Sequence, residues 1–212
     1  MRILGGGRFE PRIEEKTFCR ELKRFSTAFE INSQGFVTGL LIRGLPEKKI
    51  LAGLIQLKFL EALGFETFGD ETRKVICDES MLEIVSNTNL KKVQFCNQQI
   101  PIESFSLLEA LSLEALRVRD CVITDRHIRR IPFFAQIQGL TIAENPDISM
   151  SEIENLLSSG VLSSLVLTFR YYSKQQRESF ECLGKSNGCQ LMYIKDGHVQ
   201  LTNFLGEEVS DQ

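Results

Sequence analysis

Apolar residues in this chain recur in one short spelling. In Leu113-Glu114-Ala115-Leu116-Arg117-Val118-Arg119-Asp120-Cys121 they stand at relative positions 1, 4 and 6, and a cysteine follows at position 9. Side chains alternate across a strand, so positions 4 and 6 face one side while 3, 5 and 7 face the other. The same spelling predicts strands over Val37-Thr38-Gly39-Leu40-Leu41-Ile42, Leu57-Lys58-Phe59-Leu60-Glu61-Ala62 and Leu90-Lys91-Lys92-Val93-Gln94-Phe95. It continues with Ile137-Gln138-Gly139-Leu140-Thr141-Ile142 and Leu162-Ser163-Ser164-Leu165-Val166-Leu167, and a weaker run begins at Leu191. Starts at 37, 57, 90, 113, 137 and 162 are 20, 33, 23, 24 and 25 residues apart. Between them, apolar spacing of three and four residues predicts helical segments over 48–56, 80–85, 125–131, 151–157 and 173–183. Asp125 and either Ser149 or Ser151 are the expected N-terminal caps of two of these.

A unit of this length buries too little apolar surface to fold alone, so its copies must stack. The expectation is an α/β solenoid of about six repeats: a curved parallel sheet on one side and helical return segments on the other. Its ends need covers. Ile13, Phe18, Leu22, Phe25 and Phe29 predict an amphipathic helix over 13–29 that caps the first repeat, followed by a turn at Asn32-Ser33-Gln34-Gly35. Asp196-Gly197 between two strand-like runs predicts a β-hairpin C-cap. The resulting divisions are a flexible lead at 1–12, the N-terminal helix and turn at 13–36 and repeats at 37–188. The hairpin cap then takes 189–205 and a polar tail 206–212. The long second spacing points to an inserted turn near 69–72. Pro132-Phe133-Phe134 is expected to be buried between repeats.

The net charge of −3 argues against a general nucleic-acid binder, which needs a basic excess to displace counterions. Apolar runs fall short of the roughly 18 residues that span a membrane. With neither a signal-peptide core nor an Asn-x-Ser/Thr sequon, the chain reads as cytoplasmic or nuclear, without membrane partners. Cys19, Cys77, Cys96, Cys121, Cys182 and Cys189 form no Cys-x-x-Cys pair and do not group with His127 or His198. Reduced thiols, with no metal and no cofactor, are the expectation. Neither histidine is spaced to activate a nucleophile, so both read as ordinary polar residues and no catalytic residue is assigned.

With these residues in place, the chain resembles the leucine-rich-repeat superfamily in its ribonuclease-inhibitor-like branch, over about 37–195. The repeat at Leu113 also resembles the cysteine-containing repeats of F-box substrate receptors. Cys121 holds position 9, and Ile123-Thr124-Asp125 follows Val122, one residue short of that family's usual spacing. The resemblance implies a protein-interaction module rather than an enzyme. The expected binding surface is the concave sheet face, with Lys92, Gln94, Arg117, Arg119, Asp120, Thr141 and Glu144 at its centre and Phe169 and Tyr171 at one end. The protein partner and the oligomeric state are not specified by the sequence. Two alternatives stand beside this reading: the substrate-receptor subunit of a ubiquitin ligase, and an enzyme whose site is assembled across repeats.

Overall fold

Eight strands form one open sheet, and their spatial order is their chain order. The computed structural model describes residues 11–22, 28–44, 47–67 and 74–194. Along the chain run α1 (Ile13–Leu22), β1 (Ala28–Ile31), β2 (Val37–Arg43), α2 (Lys48–Ala52), β3 (Ala62–Glu66), β4 (Lys74–Val75), α3 (Asp78–Val85) and β5 (Lys92–Cys96). There follow β6 (Gln98–Gln99), α4 (Ile102–Ser106), β7 (Ala115–Arg119), α5 (Asp125–Ile128), β8 (Gly139–Ala143), α6 (Met150–Ser158), β9 (Ser164–Thr168), α7 (Lys174–Ser186) and β10 (Gln190–Ile194). The sheet order is β1-β2-β3-β5-β7-β8-β9-β10, with β1 antiparallel to β2 and every later pairing parallel. The short β4 and β6 pair separately. The fold is therefore mixed α/β and repeat-like, with helices between successive parallel strands. Among the described residues no helix is long and apolar enough to cross a membrane.

Register explains why the units stack. Leu40, Leu63, Val93, Leu116, Leu140, Leu165 and Leu191 stand level across seven strands. Two residues on, Ile42, Phe65, Phe95, Val118, Ile142, Leu167 and Tyr193 form a second row. Both rows face one continuous core, which also takes Leu54, Ile84, Phe105, Ile128, Ile153 and Phe180 from the return segments. The apolar residues of the opposite face, Leu41, Val166 and Met192, lie outside that core. The result is two layers, with return segments on one side of the sheet only.

Four of the strand exits repeat as well. Gly44, Asn97, Asp120 and Glu144 occupy equivalent positions, and all have positive φ, between 49° and 106°. For the non-glycine residues this costs roughly 1–2 kcal/mol each. Lateral hydrogen bonds offset it. Gly44, Asn97 and Asp120 each donate a backbone N–H to the next strand, reaching the carbonyls of Glu66, Arg119 and Ala143 at 2.7–2.9 Å. The following residue turns its side chain inward beneath the bend. Asn145 donates to the carbonyls of Val118 (3.1 Å) and Ala143 (2.6 Å) and accepts the Cys121 N–H (2.9 Å). Cys121 holds the equivalent place one repeat earlier. Its thiol donates to the carbonyls of Phe95 (3.4 Å) and Arg119 (3.2 Å), and burial pushes its pKa up to about 12, so it stays a donor.

Several expectations are corrected. The second strand is β3, three residues or more beyond the start expected at Leu57: Leu60, Leu63 and Phe65 take the places assigned to Leu57, Leu60 and Ala62. Leu54, Leu57, Leu60 and Leu63 are spaced by three, so the pattern fits two frames. The structure spends Leu57 and Leu60 on a turn, where each donates its N–H to the carbonyl three residues earlier. The N-terminal helix does not reach Phe29 as expected. Its described part spans Ile13–Leu22, Phe25 falls outside the described residues, and Phe29 lies in β1, where it pairs with Leu40. Asn32 drives this hairpin by accepting the N–H groups of Gln34 and Phe36 at 3.0 Å each. Helix α1 still covers the sheet's first edge: Phe18, Cys19 and Leu22 are buried, the Glu15 carboxylate accepts the Val37 N–H at 2.9 Å, and the Phe18 ring fills the space a Cβ on Gly53 would need. Phe134 is buried, but Phe133 is 64% exposed, with the Arg130 guanidinium 5.1 Å from its ring centre. Thr124, not Asp125, caps α5, while Asp125 accepts the Ser149 N–H at 2.7 Å. Ser149 rather than Ser151 caps α6. The expected turn near 69–72, the Asp196-Gly197 hairpin turn, the 1–10 part of the lead and the 206–212 tail fall outside the described residues.

This register makes adjacent residues of β8 opposite in consequence. Leu140→Asp places an unpaired carboxylate in the core and should cost about 3 kcal/mol or more. Thr141→Asp, on the other face, should change stability by less than about 1 kcal/mol. Chemical denaturation of the two variants checks this; equal losses contradict the register. Asn145→Ala strands the Cys121 N–H and takes a donor from the Val118 and Ala143 carbonyls, and should cost about 2–3 kcal/mol in the same measurement.

Candidate functional site

The face turned away from the helices is built by the alternate residues of each strand. One row is Gly39, Ala62, Lys92, Ala115, Gly139, Ser164 and Gln190. The middle row is Leu41, Gly64, Gln94, Arg117, Thr141, Val166 and Met192. The row at the strand exits is Arg43, Glu66, Cys96, Arg119, Ala143, Thr168 and Ile194, by the same alternation. Lys92, Gln94, Arg117, Arg119 and Thr141 are thus brought together on three adjacent strands. Arg117 and Arg119 project from the same side because they are two residues apart on β7.

The centre of this face is cationic. Arg117 reaches back over β5, where its guanidinium donates to the Gln94 side-chain carbonyl at 3.4 Å and Gln94 is left 4% exposed. Burial, and then the neighbouring Arg119 charge, hold the Arg117 pKa below its ordinary value. Among the described residues, Lys92, Arg117 and Arg119 form no ion pair. Other cations do: Arg129 with Glu152 at 2.7 Å, Arg130 with Glu109 at 2.6 Å and Lys91 with Glu61 at 3.1 Å. On the same face Arg43 meets Glu66 at 3.5 Å. Cys96 lies buried beside Arg119, with its thiol pushed up to about 11 by burial and by Glu66.

The remaining expected residues lie on the rim. Asp120 and Glu144 occupy the left-handed bends after β7 and β8. Glu144 belongs to a local cluster: its carboxylate accepts from Arg170 and from the Tyr171 hydroxyl (3.1 Å), and its backbone N–H donates to Thr168 Oγ1 at 2.7 Å. Phe169 and Tyr171 sit in the turn after β9, both half-buried. Phe169 stacks under the Arg177 guanidinium at 3.7 Å and meets the Tyr193 ring edge-on. Tyr172 is buried against Phe180. These aromatics serve the cap of the last repeats more than the open face. Sequence reasoning missed Val166, Met192 and Ile194, which give the far end of the face its apolar character. Their alternation with Leu165, Leu167 and Leu191 carried the signal.

Other places offer less chemistry. A cleft of about 370 Å³ at the strand starts is lined by Lys58, Phe59, Glu61, Lys91 and Glu114, among others, with no histidine or cysteine in its wall. His127 is buried and structural: Nδ1 accepts the Thr124 N–H at 3.1 Å, and Nε2–H donates to the Ile100 carbonyl at 2.9 Å. His198 lies outside the described residues. All six cysteines are free, and among the described residues no group of three or more His, Cys, Asp or Glu is placed to hold a metal ion. No known protein family matches the chain, and no curated protein matches it.

Burial lowers the His127 pKa below its ordinary value near 6.5. The unfolded chain therefore takes up this proton first, and the stability that neutral His127 contributes is present above about pH 6.5 and lost as pH falls through the lower folded value. Protonation would also set an N–H against the Thr124 N–H. His127→Gln keeps a side chain able to cap α5 and removes the titration. Its melting temperature should fall less than the unaltered chain's between pH 7.5 and 5. Parallel pH dependences contradict the assignment.

Proposed function

We propose that the chain is a leucine-rich-repeat solenoid of the ribonuclease-inhibitor-like kind, and that it acts as a non-enzymatic module binding a protein partner on the open, concave face of its sheet. The in-register strands, the left-handed exits and the inward side chains beneath them support the repeat assignment. One observation carries the binding reading. Lys92, Arg117 and Arg119 sit together on the open face without carboxylate partners among the described residues, whereas Arg129 and Arg130 on the helical side pair with Glu152 and Glu109.

Two nearby guanidiniums repel each other, and partial burial adds desolvation, so the arrangement costs the isolated chain stability. A carboxylate supplied by a partner reverses both effects, because hydrogen bonds to charged groups are the stronger ones. Arginine and aromatic or methionine side chains are also what protein interfaces favour over ordinary surface. The partner contact is centred on the cations of β5 and β7 and extends over β8 toward the apolar residues of β9 and β10, with the rim residues Asp120 and Glu144 along its border.

A photo-crosslinking residue at Thr141 should capture a protein in native extract, whereas one at the exposed Ile55, on the helical side, should not capture the same protein. Adding Arg117→Glu and Arg119→Glu should reduce the Thr141 crosslink at least about tenfold with the melting temperature kept within a few degrees. Equal capture from both positions, or capture insensitive to charge reversal, contradicts this function.

A further inference from the structure

We propose that the open face receives an amphipathic α-helix of the partner, acidic along one flank and apolar along the other. The proposal rests on the protein-binding reading above and names the chemistry of what binds. Three features of the face select it. The first is the line of unpaired cations. Lys92 stands level with Ala115, so Lys92, Arg117 and Arg119 fall at three successive heights along the strand direction. Those heights are about 6.7 Å apart. Carboxylates at i, i+4 and i+8 of a helix rise by about 6 Å per step, which matches them.

The second feature lies opposite. Three strands from Arg117, Met192 is 43% exposed, flanked by half-buried Val166 on β9 and Ile194 on β10. The separation between β7 and β10 is three strand spacings, about 14 Å. A helix with its side chains is about 10–12 Å across, so one helix fills the space between the cations and the apolar patch. The third feature is the floor between them. Its accessible outward residues are Gly139, Thr141 and Ser164, none of which stands tall enough to hold a helix away, while Ala143 and Thr168 at the strand exits are buried. An extended segment would be too narrow to reach both sides at once.

Charge complementarity favours separate carboxylates over a continuous polyanion. Glu66, Asp120 and Glu144 border the cations. Glu66 and Glu144 are held by Arg43 and Arg170, so the unpaired cations form a short patch: an unbroken phosphate line would run past it onto these ion pairs, while a helix can turn neutral residues toward them.

The full chain is titrated into a fluorescent helical peptide with glutamates on one flank and leucines on the other, read by anisotropy. Three companion probes are a same-composition peptide with scrambled order, a peptide with lysine for glutamate, and a single-stranded RNA. The acidic helix should bind, more weakly as salt rises, and the scrambled and lysine peptides should bind at least about tenfold less tightly. Arg117→Glu with Arg119→Glu should weaken the acidic helix about tenfold or more. Arg117→Lys with Arg119→Lys should retain most binding. Thr141→Trp, which fills the floor without changing charge, should weaken it as well. Circular dichroism of each variant reports folding; if a variant melts early, the probe comparison on the unaltered chain still decides. Equal binding of the scrambled peptide, tighter binding of RNA, or indifference to Thr141→Trp in a folded variant overturns the proposal. Failure of the acidic helix alongside successful Thr141 crosslinking overturns the helix assignment alone, whereas failure of both removes the protein-binding reading too.

Discussion

The molecule depends on one constraint: no strand can cover its own inward side chains. Each parallel strand presents two large apolar residues to the core, such as Leu116 and Val118, and their sides are covered by the equivalent pairs on the strands to left and right. The stacked rings of Phe65 and Phe95, 6.0 Å apart, show this sideways dependence directly. Removing one pair exposes its neighbours, so stability is shared along the stack and falls off at its ends. Helix α1 and the antiparallel β1 cover the first edge, where the chain departs from the repeating pattern.

The same constraint fixes the open face. Inward packing sets the register, and register sets which residues point outward and at what spacing. Below the exits, the side chains of Cys121 and Asn145 tie each bend to the preceding strand through buried hydrogen bonds. Arg117 and Arg119 are therefore held close by a backbone that cannot relax to separate them. A repulsive pair kept on a rigid support is poorly suited to stability and well suited to recognition, because little ordering remains to be done when a carboxylate arrives. The ion pairs of the helical side, Arg129–Glu152 and Arg130–Glu109, instead fasten one return segment to the next.

Much of this was legible in the sequence where alternation is unambiguous. The Leu113 unit appears as read, with Leu116 and Val118 inward and Arg117 and Arg119 outward. Lys92, Gln94 and Thr141 follow by the same rule. Legibility failed where a period fits two frames, as in the leucines from Leu54 to Leu63. It failed too where helical spacing hid a hairpin, as at Phe29. Phe133 and Phe134 are equally apolar, and only the path of the turn decides that one is buried and the other exposed. Pairing was the least legible property. Nothing local in the sequence ties Glu144 to Arg170 and Tyr171, or leaves Arg119 without a carboxylate, because such contacts depend on distances between repeats.

Methionine footprinting tests the central claim most directly, since among the described residues one exposed methionine lies on each side of the sheet: Met192 on the open face and Met150 at the start of α6. The labelled chain would be briefly oxidised in buffer and in native extract at matched radical dose, and the two sulfoxide yields compared. Occupancy of the open face predicts selective protection of Met192 in extract with Met150 unchanged. Protection of Met150 with Met192 left reactive would place the partner on the helical side and contradict the account.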